Sequence, residues 1–423
     1  MTLMLLPYAS ERRPSRQPIL TWLLLGVNIA VSLALFLGDR SGRWHSAQIL
    51  LRFGLVPLQF HVWSLFTYPF LHDGWAHLLV NLFYLWLFGA GVEDAVGGWK
   101  TLLLYLAGGA VGGALEVFVM LRLPYLTNGS QPIVGASAAC AGLVGLYAVR
   151  YYRERLTFVG LPFRPNVVVV VAIFLAIEMG FGLWSVFGGK TSDGVAHWAH
   201  IGGFVFGLGC AYLLRLEAQG QKDYLRMDAE KAMEKGAPGG AIKRWETLLA
   251  REPDNADARV ELARAWMVLG DMDQVVTYTL QAVRQLFKQN RRLDAVRLFV
   301  EMRRAGMKTQ VSERHTTALR SRTTTLVPEL STAELFALGN ALEEAKEYEY
   351  ASETLRAVTV RNPNAPEVET ALLKVIGLYL KHLDRREEAR VLLRLFFERY
   401  PGSPFHSRAE EYRLLAEESG NPD

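Results

Sequence analysis

The sequence predicts an all-α protein in two parts, a six-helix transmembrane bundle followed by a soluble α-helical repeat solenoid. Two observations carry this. The 423 residues are 51% hydrophobic, yet every long apolar run falls in the first half. From about Gln221 the chain turns charged and periodic and has no such run. The length by itself suggests two or more domains.

The apolar runs are Ile19–Leu37, Trp75–Val92, Thr101–Leu121, Ile133–Val149, Val167–Phe187 and Val195–Leu214. Each is about 17–21 residues, enough for a helix to cross a hydrocarbon core of ~30 Å. The N-terminus lacks the order of charge, apolar core and cleavage site that marks a signal peptide, so the first run is expected to be a retained helix. Cys140 and Cys210 both lie inside apolar runs and read as small core residues, not as a disulfide framework. The net charge of +4 is modest, and no block of like charge argues for nucleic acid.

Charge sets the expected orientation. One face carries Arg12, Arg13, Arg16, Lys100, Arg150, Arg153, Arg155, Arg164, Arg215, Lys222 and Arg226, and the other Arg40, Arg43, Arg52, Arg122 and Lys190. Eleven against five puts both termini in the cytoplasm. The expected location is a cell membrane, the bacterial inner membrane in particular. The boundaries that follow are a cytoplasmic segment at 1–17, a six-span domain at 18–216 and a cytoplasmic repeat domain at 217–423. The segment Gly38–Trp63 is then an outer loop, too apolar for ordinary solvation and expected to lie partly in the interface.

Six alternating spans make the second, fourth and sixth parallel. Each carries polar groups in its first turns: His77 and Asn81, Ser137, and His197 and His200. All would stand at one depth near the outer face. Polar groups inside membrane helices are costly and face the bundle interior or a water-filled cavity. A serine hydroxyl becomes a nucleophile when a base takes its proton, and histidine is the usual base. His77 and Asn81, four apart on one face, are candidate donors to an oxyanion. Gly202, Gly203 and Gly207 would let the sixth span pack closely and bring His200 to Ser137. Glu116 and Glu178 are read as facing polar partners in the bundle. No His-Glu pair occurs, which excludes the zinc-protease helix motif, and no internal repeat supports a transporter.

The stretches "RFGLVP", "WSLFTYPFLHDGWAHLLVNLFYLWLFGAGVEDAVGG", "GASA" and "AHIGGFVFG" stand in the order found in rhomboid intramembrane serine proteases. Over roughly residues 18–216 the chain resembles that family. The resemblance implies a serine–histidine dyad with no third acid. It maps the nucleophile onto Ser137, the general base onto His200 and the oxyanion-stabilising pair onto His77 and Asn81. It leaves His197 outside the catalytic set and implies no metal or organic cofactor. Ala138 departs from the family's usual glycine after the serine and adds one methyl group beside the nucleophile, which is expected to crowd a bound substrate.

In the second half, amphipathic helices come in pairs, broken at "REPDNAD", "LGD", "RNPNAP" and "RYPGSP". Pro363 and Pro401 are 38 residues apart. Such pairs resemble tetratricopeptide repeats, whose period is ~34 residues. "KTQVSERHTTALRSRTTTLVPEL" is expected to be a less regular connection. The combined expectation is an intramembrane serine endopeptidase. Its substrates are membrane proteins with a locally unwound transmembrane helix, and its repeats bind a partner or substrate protein. The alternative is a catalytically silent rhomboid-like protein that binds client membrane proteins.

Overall fold

The computed structural model describes residues 7–10, 15–42, 45–122, 130–158, 162–187, 194–312 and 330–417. Most of the expected N-terminal segment lies outside them, as do Arg12, Arg13, Arg43 and Lys190 of the charge count. The Thr- and Arg-rich connection lies outside them over 313–329. The chain divides into two compact units, residues 1–223 and 224–423. The expected boundary at 216/217 falls instead at the start of a helix, Leu216–Glu234.

The first unit opens with β1 (Pro7–Ser10) and α1 (Ile19–Arg40). Backbone N–H groups of Leu20 and Thr21, at the start of α1, donate to the two carboxylate oxygens of Glu93. That supplies acceptors to donors that a helix start leaves unsatisfied. The expected loop Gly38–Trp63 holds α2 (Ser46–Phe53) and is followed by α3 (Ser64–Thr67). Leu55 in the loop and Tyr68 beyond it pack against Val117. Within the loop Leu58, Phe60, Val62 and Trp63 are exposed.

The second span, Trp75–Val96, comprises α4 (Trp75–Tyr84), a π-helical stretch Leu85–Gly89 and α5 (Ala90–Val96). It is followed by α6 (Gly98–Arg122), α7 (Ser137–Arg150), the strand β2 (Leu156–Phe158), α8 (Val167–Phe187) and α9 (His197–Leu213). β1 and β2 pair antiparallel, a small exception to the all-α expectation.

All six expected helices are present, but the fourth and sixth are shorter than the apolar runs. Ile133 is not helical. Its N–H and C=O exchange hydrogen bonds with Leu55, and the Gly135 N–H donates to the Tyr68 carbonyl. These bonds satisfy the backbone in an apolar setting without a helix. Gly135 has φ +114, so the helix starts after it, with Ser137 as its first residue. At 14 residues α7 is about 21 Å long, short of a ~30 Å core. Nearly all of it is buried, and Ala139, Leu143, Leu146 and Tyr147 form the middle of the unit's core with Leu85, Phe88, Tyr105 and Phe204. Among the described residues four helices are long and apolar enough to cross a membrane. α9 qualifies only together with α10 (Leu216–Glu234), from which it is bent by 67°.

The second unit is a run of helix pairs: α11 (Pro238–Arg251) with α12 (Ala256–Leu269), and α13 (Met272–Lys288) with α14 (Arg292–Ser312). After residues 313–329 come α15 (Thr332–Glu344), α16 (Tyr348–Arg361), α17 (Val368–Lys381), α18 (Arg386–Arg399) and α19 (His406–Glu417). Two of the breaks foreseen in the sequence hold side-chain caps, where Asn255 accepts from the Ala258 N–H and Asp271 from the Gln274 N–H. Elsewhere Ser331 and Glu334 form a reciprocal capping box. Leu280, Val283, Leu338, Leu355 and Ile376 lie in one continuous core.

Candidate active site

Five helices, α4, α6, α7, α8 and α9, meet where the polar residues of the apolar half converge. Glycines set how near they come. A Cβ on Gly203 would collide with the Ala138 carbonyl, and one on Gly207 with the Gly142 carbonyl. A Cβ on Gly112 of α6 would collide with the Ala199 carbonyl of α9. Backbone thus lies on backbone at the α7–α9 and α6–α9 contacts, the small-residue packing expected of membrane helices.

Across the α7–α9 contact His200 Nε2 stands 2.7 Å from Ser137 Oγ. On the other side of the ring, His200 Nδ1 is 3.0 Å from Glu178 Oε2 on α8. The same oxygen is 2.7 Å from His197 Nδ1. A carboxylate thus stands behind the histidine that the sequence places in a dyad with no third acid, and His197, set aside in the sequence, shares that carboxylate. Glu178 is 4% exposed, and a buried carboxylate needs such donors. Glu116, also buried, accepts the backbone N–H of Ala199 at 2.9 Å and so fixes the first turn of α9.

His77 and Asn81 approach from α4. A Cβ on Gly135 would collide with His77 Nε2 and stand 3.4 Å from Asn81 Nδ2, so both nitrogens face the backbone two residues before Ser137. Glycine at 135 is required by its φ and by this approach. Asn81 is 4% exposed and its Nδ2 has no hydrogen-bond partner among the described residues, a buried donor left open toward that space. His77 Nδ1 is 2.7 Å from Asp73 Oδ1, and this hydrogen bond holds the Asp73 carboxyl below its ordinary pKa. The sequence reading did not use Asp73; its place four residues before His77, ahead of the helix, was the available signal.

Ala138 is 1% exposed, and its methyl faces α6, 3.0 Å from where a Gly112 Cβ would stand. It packs between α7 and α6. Another serine–histidine pair, Ser32 Oγ and His72 Nδ1 at 3.1 Å, is buried at 0% and 1% exposure and offers a substrate no access. Ser137 and His77 are half-buried.

Residues 59–217 match the Rhomboid domain, and residues 232–297 match the Tetratricopeptide repeat. The chain is 30% identical over 208 residues to the rhomboid protease GluP of Bacillus subtilis, covering 48% of this chain and 36% of that one. It is 29% identical over 157 residues to rhomboid-related protein 1 of Caenorhabditis elegans, covering 37% and 41%. To the rhomboid protease GlpG of Salmonella choleraesuis it is 26% identical over 216 residues, covering 50% and 69%. The chain thus spans well under half the length of the first two relatives. Among solved structures, a putative kinesin light chain with TPR-like repeats from Podosopora anserina is 18% identical, covering 48% of this chain and 97% of that one. Its TM-score of 0.18 has no bearing on the fold. The chain carries a rhomboid domain followed by tetratricopeptide-type repeats, and it is a membrane protein.

Proposed function

We propose that this chain is an intramembrane serine endopeptidase, with Ser137 as nucleophile and His200 as general base. The 2.7 Å contact between Ser137 Oγ and His200 Nε2 carries the reading. His200 accepts the hydroxyl proton as Oγ attacks a peptide carbonyl, then returns it to the leaving amine. Negative charge develops on the carbonyl oxygen. Asn81 is the first donor to it, a reading supported by its buried Nδ2, which has no hydrogen-bond partner among the described residues. His77 is the second donor. With Nδ1–H given to Asp73, a further N–H at Nε2 exists only on the doubly protonated ring, so this role requires the imidazolium. Ser137 begins α7, so the positive end of that helix also faces the developing anion.

The substrate is the transmembrane segment of another membrane protein, locally unwound, because an intact helix keeps its carbonyls hydrogen-bonded. The repeats recruit a partner or client, since helical solenoids present extended binding surfaces. Both termini face the cytoplasm of a bacterial inner membrane, and the site opens near the outer face, on the eleven-to-five charge count.

The test compares the wild type with Ser137→Ala on a transmembrane test substrate in detergent, with fluorophosphonate labelling alongside. Cleavage and labelling by the wild type alone are expected. A wild type that neither cleaves nor labels sinks the proposal and leaves the silent client-binding reading.

A further inference from the structure

A neutral imidazole has one proton to place, and the nitrogen that carries it decides whether the other can act as a base. Glu178, when ionised, is only an acceptor. Facing Nδ1 of His200 at 3.0 Å, its Oε2 calls for an N–H on that nitrogen. Nε2 is then left with its lone pair toward Ser137 Oγ, 2.7 Å away. This is the tautomer that proton abstraction from the serine needs.

One carboxylate oxygen can accept two hydrogen bonds. His197 lies three residues before His200, on the same face of α9, and its Nδ1 reaches the same Oε2 at 2.7 Å. α8 is built for this pairing. Phe174, Glu178 and Phe181 recur at helical spacing on one stripe. The Phe181 ring stacks on His197 with centroids 5.5 Å apart, and the Phe174 ring lies 6.3 Å from His200. One turn beyond Glu178, a Cβ on Gly182 would touch the Trp198 ring at 3.4 Å. The stripe therefore lies along the first turn of α9, with the carboxylate held between two rings that its histidines pack against.

We propose that Glu178 is a positioning residue for His200. It fixes the proton on Nδ1 and faces the imidazolium formed during attack, and His197 braces the carboxylate through its second acceptor site. The inference rests on His200 being the base.

The experiment measures kcat and KM of the full-length protein in detergent for Glu178→Gln, Glu178→Asp, His197→Ala and the pair Glu178→Gln with His197→Ala. A glutamine can turn its NH₂ toward Nδ1 and trap the wrong tautomer. The expected result is a kcat loss of about 10²–10⁴-fold for Glu178→Gln with KM within about twofold. Glu178→Asp should recover part of the rate. His197→Ala should lose about tenfold alone and little more in the Glu178→Gln background, because residues acting as a unit are not additive. A Glu178→Gln variant with kcat within about threefold of wild type overturns the proposal. So does a rate loss that tracks a lower unfolding temperature and a raised KM.

A second measurement needs no change at Glu178. ¹⁵N shifts of the histidine ring nitrogens, assigned by the signals lost in His200→Ala, should put the proton of neutral His200 on Nδ1; a proton on Nε2 overturns the proposal. The underlying reading fails separately, if His200→Ala cleaves like the wild type. An inactive His200→Ala beside a fully active Glu178→Gln would remove the positioning role alone.

Discussion

Ala138 shows how one methyl group is placed. It follows the nucleophile, yet it is buried against α6 at Gly112 and not on the open side of Ser137. Ala138→Gly should therefore leave kcat within a few-fold and lower stability. Glycine within a helix costs about 1 kcal/mol relative to alanine, and losing a buried methyl costs about 0.8 kcal/mol more. Thermal unfolding in detergent beside kcat checks this, and a raised kcat would put the methyl back in the substrate's path. The residues of the contact were legible because serine, histidine and asparagine stand out in apolar runs and the family resemblance ordered them. Glu178 was visible only as a buried carboxylate needing a partner. Nothing in a Val- and Leu-rich run says which neighbour a helix face meets, so the Phe174–Glu178–Phe181 stripe becomes readable once α9 is known to lie along it.

Helices were easier to foresee than their ends. Hydropathy reports burial, and Ile133 and Val134 are apolar although the helix starts only at Ser137. The backbone of Ile133 bonds to Leu55 and that of Gly135 to Tyr68, partners distant in sequence. The segment after α1 reads as a loop for the same reason, since its helix Ser46–Phe53 is short and Leu55 packs against the distant Val117. The α7–α9 contact gives a prediction for whole elements. Gly203→Ala would drive a methyl into the Ala138 carbonyl, and α9 must then move away from α7 and carry His200 with it. Proton transfer needs contacts of about 3 Å, so kcat should fall more than tenfold. Turnover by purified Gly203→Ala checks it; a wild-type rate would mean that the helices can slide without separating the pair.

Each unit has its own core, and the four residues assigned to the reaction all belong to the first. Truncation after Glu234 should spare cleavage of a generic substrate in detergent and reduce processing of a native client in membranes, where recruitment raises local concentration. Loss of generic cleavage by a folded truncation would tie the repeats to catalysis itself. The cut must not fall earlier. Arg150 at the end of α7 has a side chain 8% exposed and pairs with Asp223 at 2.6 Å. Ending the chain at Gln221 removes that carboxylate at a cost of about 1–3 kcal/mol, discounted because Asp223 is partly exposed. The shorter truncation should unfold at a lower temperature than the longer; equal temperatures would deny the pair a stabilising role.

Gly135 carries no functional group, yet its φ of +114 and the nearness of His77 leave no space for any L side chain. A library of all twenty amino acids at this position, selected for activity, should return one letter, as it would at Ser137. At Ala138 the same selection should return several small residues. A ranking of positions by tolerance would thus group a glycine with the nucleophile, one for the room it leaves empty and the other for the atom it presents.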